Sequence, residues 1–186
     1  MKTLIRTVAT LGVLTVCAVG VAQAADFTQM EVIGLEGVEE LQIGDQVPPL
    51  SLSDTSGEVY DLADNTDNAH LMVFWSIFCE PCKEEMPIIQ RLHEEYGPKG
   101  LDVLAVAMDG EDMRTSLKWL AKQQGYTFRI LLDELDEEES FVAADPYGVG
   151  GTPTIYVLKP GGTVVFAHVG RVSEASLRAA VESALK

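Results

Sequence analysis

The chain has 186 residues, of which 47 % are hydrophobic, enough for one domain with a substantial buried core. Its 29 acidic residues against 13 basic ones give a formal net charge of −16, which argues against nucleic acid or anionic lipid as a partner. Three cysteines are too few for a fold stapled together by disulfides.

Residues 1–24 read as a secretory signal peptide. Lys2 and Arg6 form a basic start, Val8 to Val21 is an uncharged, mostly apolar run, and Ala22-Gln23-Ala24 supplies the small-x-small pattern that signal peptidase needs. Cleavage is expected between Ala24 and Ala25, with export to the periplasm or otherwise out of the cytoplasm. An uncleaved membrane anchor is the alternative, although the run falls short of the roughly 20 residues that span a bilayer comfortably. Lipid attachment at Cys17 is a weaker alternative, because Val16 is bulkier than the small residue such signals use. Removing 24 of 186 residues leaves 162, with all 29 acids and 11 of the 13 bases, a balance that favours basic or neutral protein clients.

Residues 25–42 carry no clear period and are expected to form an N-terminal arm, with an early strand as the alternative. Residues 43–186 read as one domain without repeat or linker. Val47 to Leu62 predicts an N-terminal β-hairpin turning at Ser56-Gly57. Leu71 to Ser76 is a continuous apolar run, as expected of a central strand covered on both faces. Cys79 to Tyr96 predicts a helix closed by Gly97-Pro98, and Leu101 to Met108 a second buried strand. Met113, Leu117 and Leu120 mark a helix face that stops at Gly125, and Phe128 to Leu132 is a third strand. Thr154 to Leu158 and Thr163 to Val169 predict an antiparallel hairpin across Lys159-Pro160-Gly161-Gly162. A last helix begins near Glu174 with Ser173 as its N-cap and Leu177, Val181, Ala184 and Leu185 on one face. This order predicts an α/β fold, a central mixed β-sheet flanked by helices on both faces.

The motif with chemistry is Cys79-Glu80-Pro81-Cys82, placed where a strand hands over to a helix. A helix N-terminus offers unpaired N–H groups and partial positive charge, which favour a thiolate on the first sulfur. The second sulfur, one turn further on, can close a disulfide with it. Zinc is not expected, because no second CxxC or paired-histidine motif is present. His70, His93 and His168 are isolated from one another in sequence and read as surface or core-edge residues. The acidic run Asp133 to Glu139 reads as a solvated loop and helix start, without the glycine and spacing of a calcium loop.

The segment Phe74 to Pro87, containing this CxxC and a proline eight residues after its first cysteine, resembles the active-site segment of the thioredoxin superfamily. More narrowly, it resembles the exported TlpA/ResA-like thiol–disulfide oxidoreductases, which include factors for cytochrome c maturation. The likeness runs over residues 43–186, through Gly148-Val149-Gly150-Gly151-Thr152-Pro153-Thr154 and the Pro160-Gly161-Gly162 turn. It implies a thioredoxin-like fold with an N-terminal β-hairpin and a central αβ insertion. It also implies that Cys79 is the exposed nucleophile, Cys82 the buried resolving thiol and Pro153 a cis-proline packed against the CxxC. The Thr152 backbone would then pair with an extended client segment as an added strand does. Glu80, Pro81 and Phe78 would face the client, and Trp75 is expected to be core packing beside the site. Pro87 is expected to kink the active-site helix.

Two departures bear on chemistry. The acid that many thioredoxins carry on the strand before the CxxC is Val73 here, whereas ResA-like members place a glutamate where Glu85 stands. A partly buried Glu85 would have a raised pKa and could exchange a proton with Cys82; the competing reading is a solvated helix glutamate like Glu84. Phe78 replaces the usual tryptophan before the first cysteine. Glu80 disfavours a thiolate at Cys79, so the dithiol is expected to act as a reductant. The resemblance implies disulfide-bearing exported clients, apocytochrome c among them, and a membrane thiol electron donor. No cofactor beyond the Cys79–Cys82 redox disulfide, no metal and no nucleic acid are expected, and the chain is expected to be a monomer. The alternatives are a disulfide oxidase or isomerase of the same fold, or a non-enzymatic protein-binding or metal-delivery module.

Overall fold

The computed structural model describes residues 39–186; the expected signal peptide and all but the last residues of the arm lie outside the described residues. The strands and helices are β1 (Ser51–Ser53), β2 (Val59–Asp61), β3 (Ala69–Trp75), α1 (Glu80–Tyr96), β4 (Leu101–Ala107), α2 (Arg114–Gln124), β5 (Arg129–Leu132), β6 (Thr154–Leu158), β7 (Val164–Val169) and α3 (Glu174–Ala184). β1 and β2 form the expected hairpin. Asp54 orders its turn by accepting the backbone N–H groups of Ser56 at 2.8 Å and Glu58 at 3.1 Å, and Arg129 Nη1 donates to its other oxygen at 2.5 Å.

The remaining strands make one sheet in the order β5-β4-β3-β6-β7. β3, β4 and β5 are parallel, and β6 runs antiparallel to β3 and to β7. The all-apolar character of β3 follows from its central place, since both faces of its side chains are covered. α2 and β5 are the αβ unit inserted between β4 and the β6–β7 hairpin. Gly125 ends α2 at φ 73°, a conformation glycine adopts at no steric cost.

The two faces are closed by different materials. Leu71, Val73 and Trp75 of β3 meet Met86, Ile89 and Leu92 of α1, Leu117 of α2, and Leu177 and Val181 of α3. Met72 and Phe74 meet Leu52 and Tyr60 of the hairpin, together with Ala143, Ala144 and Tyr147. Among the described residues, all three α-helices thus send their buried side chains to one face. The expectation of helices on both faces is corrected: the second face is covered by the β1–β2 hairpin and by turns over residues 141–149. The physical reason lies in Asp133, which is fully buried and accepts the N–H groups of Ala143 and Ala144 at 2.9 and 2.8 Å. Gly148, in the left-handed conformation, then ends that first turn. Gly148 has φ 68°, and a Cβ there would lie 2.1 Å from the Glu39 carbonyl oxygen, so the arm can cross only over a glycine.

The acidic run therefore divides. Glu134 to Glu139 are exposed, as expected of a solvated loop, but Asp133 is a buried structural carboxylate and no helix starts there. His70 also differs from a surface or core-edge residue. It is buried in β3, with Nε2 3.0 Å from the Tyr60 hydroxyl and 3.8 Å from the Asp102 carboxylate.

Candidate active site

β3 ends at Trp75, and the next three residues form a tight turn fixed by Asp109, just beyond β4. Ser76 Oγ donates to one Asp109 oxygen at 2.7 Å and the Ile77 N–H to the other at 3.0 Å. The Phe78 N–H donates back to Ser76 Oγ at 3.1 Å. These bonds place Cys79 in extended conformation as the N-cap of α1, with φ −82° and ψ 103°. Pro81 sits in the first helical turn, where no intrahelical partner awaits its missing N–H. α1 then runs through Pro87 as one helix to Tyr96.

Cys79 and Cys82 are joined by a disulfide with a Cα–Cα distance of 5.3 Å. Cys79 Sγ also accepts the Cys82 N–H at 3.3 Å. Cys79 is half-buried and Cys82 is 0 % exposed, so an incoming sulfur can approach only the first of the pair. Glu80 is exposed and lies 3.1 Å from Lys83 Nζ. Phe78 is 75 % exposed beside Cys79, whereas Trp75 is fully buried beneath the turn.

Glu84 and Glu85 diverge sharply. Glu84 is exposed and pairs with Arg171 at 2.6 Å. Glu85 is 5 % exposed and accepts the Val172 N–H at 2.6 Å through Oε1, while its buried Oε2 has no partner among the described residues. Burial pushes the Glu85 carboxyl above its ordinary range, opposed by the Val172 N–H and by the charges of His168 and Arg171. The position stands one helical turn below Cys82, on the apolar side of α1.

The Thr152–Pro153 peptide bond is cis and Pro153 is buried. Pairing of Phe74 with Thr154 places this bond just beyond the end of β3, from which the CxxC hangs. The Gly170 N–H donates to the Pro153 carbonyl at 2.7 Å, whereas the Thr152 N–H and C=O take no backbone partner among the described residues. The structure thus gathers Cys79, Cys82, Glu85, Phe78, Glu80, Pro81 and Trp75 around the start of α1, with Thr152 and Pro153 across the end of β3. Sequence reasoning missed Asp109, although an acid two residues past a buried strand is a usable signal for a loop anchor. It also missed the loop from His168 to Val172, which reaches Glu85 from a distant part of the chain and carries no motif. Among the described residues, no group of three or more His, Cys, Asp or Glu side chains is placed to hold a metal ion.

A redox cysteine pair at the N-terminus of a helix, after the central strand of this sheet, defines a thioredoxin-like thiol–disulfide oxidoreductase. The chain belongs to the AhpC/TSA family, whose model matches residues 43–167. It is 28 % identical over 139 residues to the thiol-disulfide oxidoreductase ResA of Bacillus thuringiensis, a match covering 75 % of this chain and 76 % of that protein. It is 35 % identical over 135 residues to the thioredoxin-like protein YneN of Bacillus subtilis, covering 72 % of this chain and 75 % of that one. A crystal structure from Chlorobium tepidum, assigned to the thiol:disulfide interchange protein DsbE, aligns with a TM-score of 0.68 at 27 % identity, covering 79 % of this chain and all of that one.

Proposed function

We propose that this oxidoreductase works as an exported reductant, its Cys79–Cys82 dithiol reducing disulfides of exported client proteins, with apocytochrome c haem-attachment cysteines one such client. Export rests on the basic start and apolar run of residues 1–24. The direction rests on one observation, the charge around the pair. Glu80 lies inside the CxxC, and Lys83 is engaged by its carboxylate at 3.1 Å. A Cys79 thiolate is then stabilised by the helix end and the Cys82 N–H, without a free cation in its own turn. Strongly oxidising proteins of this class stabilise their reduced thiolate; withholding that stabilisation favours the disulfide and makes the dithiol a donor.

In the reductive cycle the Cys79 thiolate attacks one sulfur of a client disulfide. A Cys79–client bond forms, and the client's other sulfur leaves as a thiolate. Cys82 then gives its proton to Glu85 and attacks Cys79 Sγ, which restores the Cys79–Cys82 bond and expels the client's second sulfur as a thiolate that takes a proton from water. The raised pKa of Glu85 makes it a better acceptor for the Cys82 proton than an ordinary carboxylate, and the proton is returned on the next turnover. A donor in an oxidising compartment must itself be reduced again, and a membrane thiol protein is the expected source.

The deciding measurement is the reduction potential of the pair, by equilibration with a dithiol buffer. A value near or below about −270 mV is expected, and a value near about −120 mV would instead make the protein an oxidase. A Cys79→Ser chain that kept full activity in cells would point to a non-enzymatic binding role.

A further inference from the structure

Beside the dithiol, α1 and α2 leave an open groove of about 520 Å³ lined by Ile77, Lys83, Thr115, Ser116, Trp119 and Leu120. Trp119 is 63 % exposed, while its neighbours on α2 serve the core: Leu117 is buried, and Leu120 and Ala121 pack against the same cluster. Trp119 and Phe78 are the exposed aromatic side chains among the described residues. The fold gains little from either, whereas tryptophan is the side chain most enriched where partners bind.

The groove is continuous with the exchange centre. Ile77 precedes Cys79 by two residues and Lys83 follows it by four, so the wall of the groove and the N-cap of α1 share one stretch of backbone. Exchange joins a client cysteine to Cys79 Sγ through a bond of about 2.05 Å, and this fixes where the client's neighbouring residues must lie. In an extended client, residues two to four positions from that cysteine fall roughly 7–14 Å away, within reach of the surface flanking Cys79. Thr152 and Pro153 bound one side of the site, and the groove opens on the α1–α2 side.

We propose that this groove is a client subsite, taking an aromatic or leucine-sized side chain two to four residues from the client's disulfide cysteine in an extended polypeptide segment. The proposal rests on exchange at Cys79 and adds to it a preference among clients. Trp119, Leu120 and Ile77 supply the apolar surface, and Thr115 and Ser116 offer polar partners for the client's backbone.

The test uses the full chain carrying Cys82→Ser, so that the mixed disulfide at Cys79 persists and can be read by peptide mass. Two probe peptides of equal charge bear the same cysteine disulfide, one with leucine and phenylalanine at the flanking positions and one with serine and glycine. The apolar probe is expected to react at least about tenfold faster, the scale of discrimination an apolar pocket gives. Adding Trp119→Ala is expected to bring the ratio of the two rates close to one, and Trp119→Phe to restore most of it. A ratio near one in the chain with Trp119 intact, or a ratio that survives Trp119→Ala, overturns the subsite while leaving exchange at Cys79 in place. No reaction with either peptide overturns the exchange reading together with the subsite. A chain that sediments as a dimer, shows no selectivity and becomes monomeric with Trp119→Ala assigns the groove to a second copy, which also overturns the proposal.

Discussion

At the scale of single residues, two consecutive glutamates show how position converts one side chain into two chemistries. Glu84 faces water and pairs with Arg171, while Glu85 turns inward one step later along α1. Its spacing of three residues from Cys82 was legible in the sequence. Its burial was not, because the loop that closes over it, with Val172 as its hydrogen-bond donor, lies 87 residues further on. Burial raises its pKa from 4.5, so between the unfolded and folded values the native state holds a proton that the unfolded chain releases. The sign follows: this group's contribution to stability is full below the unfolded value and is lost as pH rises through the folded one. Glu85→Gln keeps an oxygen for the Val172 N–H but cannot ionise. Urea unfolding of the oxidised chain between about pH 4 and pH 8 should therefore show the parent losing stability relative to Glu85→Gln as pH increases. The same variant should slow resolution by Cys82 by roughly a hundredfold, the lower range of general acid–base assistance. An unchanged pH profile of that step would remove Glu85 from the proton path.

At the scale of elements, the regular pieces were readable because each carries its own period and its own stop. The β3 run is apolar throughout, α1 opens on a capping cysteine with proline in its first turn, and Gly125 ends α2. Residues 141–149 lacked such a signal. Their apolar character was visible, but the turns that replace a helix depend on Asp133, which looked like one more acid in an exposed run. Its two oxygens satisfy two buried N–H groups that no solvent can reach. Asp133→Ala leaves both unpaired and should cost about 2–6 kcal/mol, each buried donor contributing about 1–3. Asp133→Asn retains one accepting oxygen and should lose roughly half as much. Denaturant midpoints of the three chains check this, and equal midpoints would show that the turns over 141–149 hold without the carboxylate. Asp109 acts similarly on the turn before Cys79 and was equally hidden, since what identifies it is the pair of donors brought to it by β3.

At the scale of the whole molecule, the topology concentrates acid where exchange occurs. β3, β4 and β5 are parallel, so the residues that follow each of them emerge at one end of the sheet. Asp109, Asp112 and Glu134 line a single depression there, while Glu80, Glu84 and Glu111 at the same end are paired with Lys83, Arg171 and Arg114. With 29 acids against 13 bases the rest of the surface reinforces this field instead of opposing it. Client encounter should therefore depend on client charge even where contacts at Cys79 are identical. A peptide disulfide flanked by lysines is expected to react faster than one flanked by glutamates by about tenfold or more at low salt, the lower range of electrostatic steering. Raising the salt from about 20 mM to about 500 mM shortens the screening length from roughly 20 Å to a few ångströms, so the two rates should converge. Stopped-flow rates of mixed-disulfide formation across that range separate the causes. A ratio that ignores salt would trace the preference to short contacts at the site, and equal rates at low salt would show that the acidic field does not select the client.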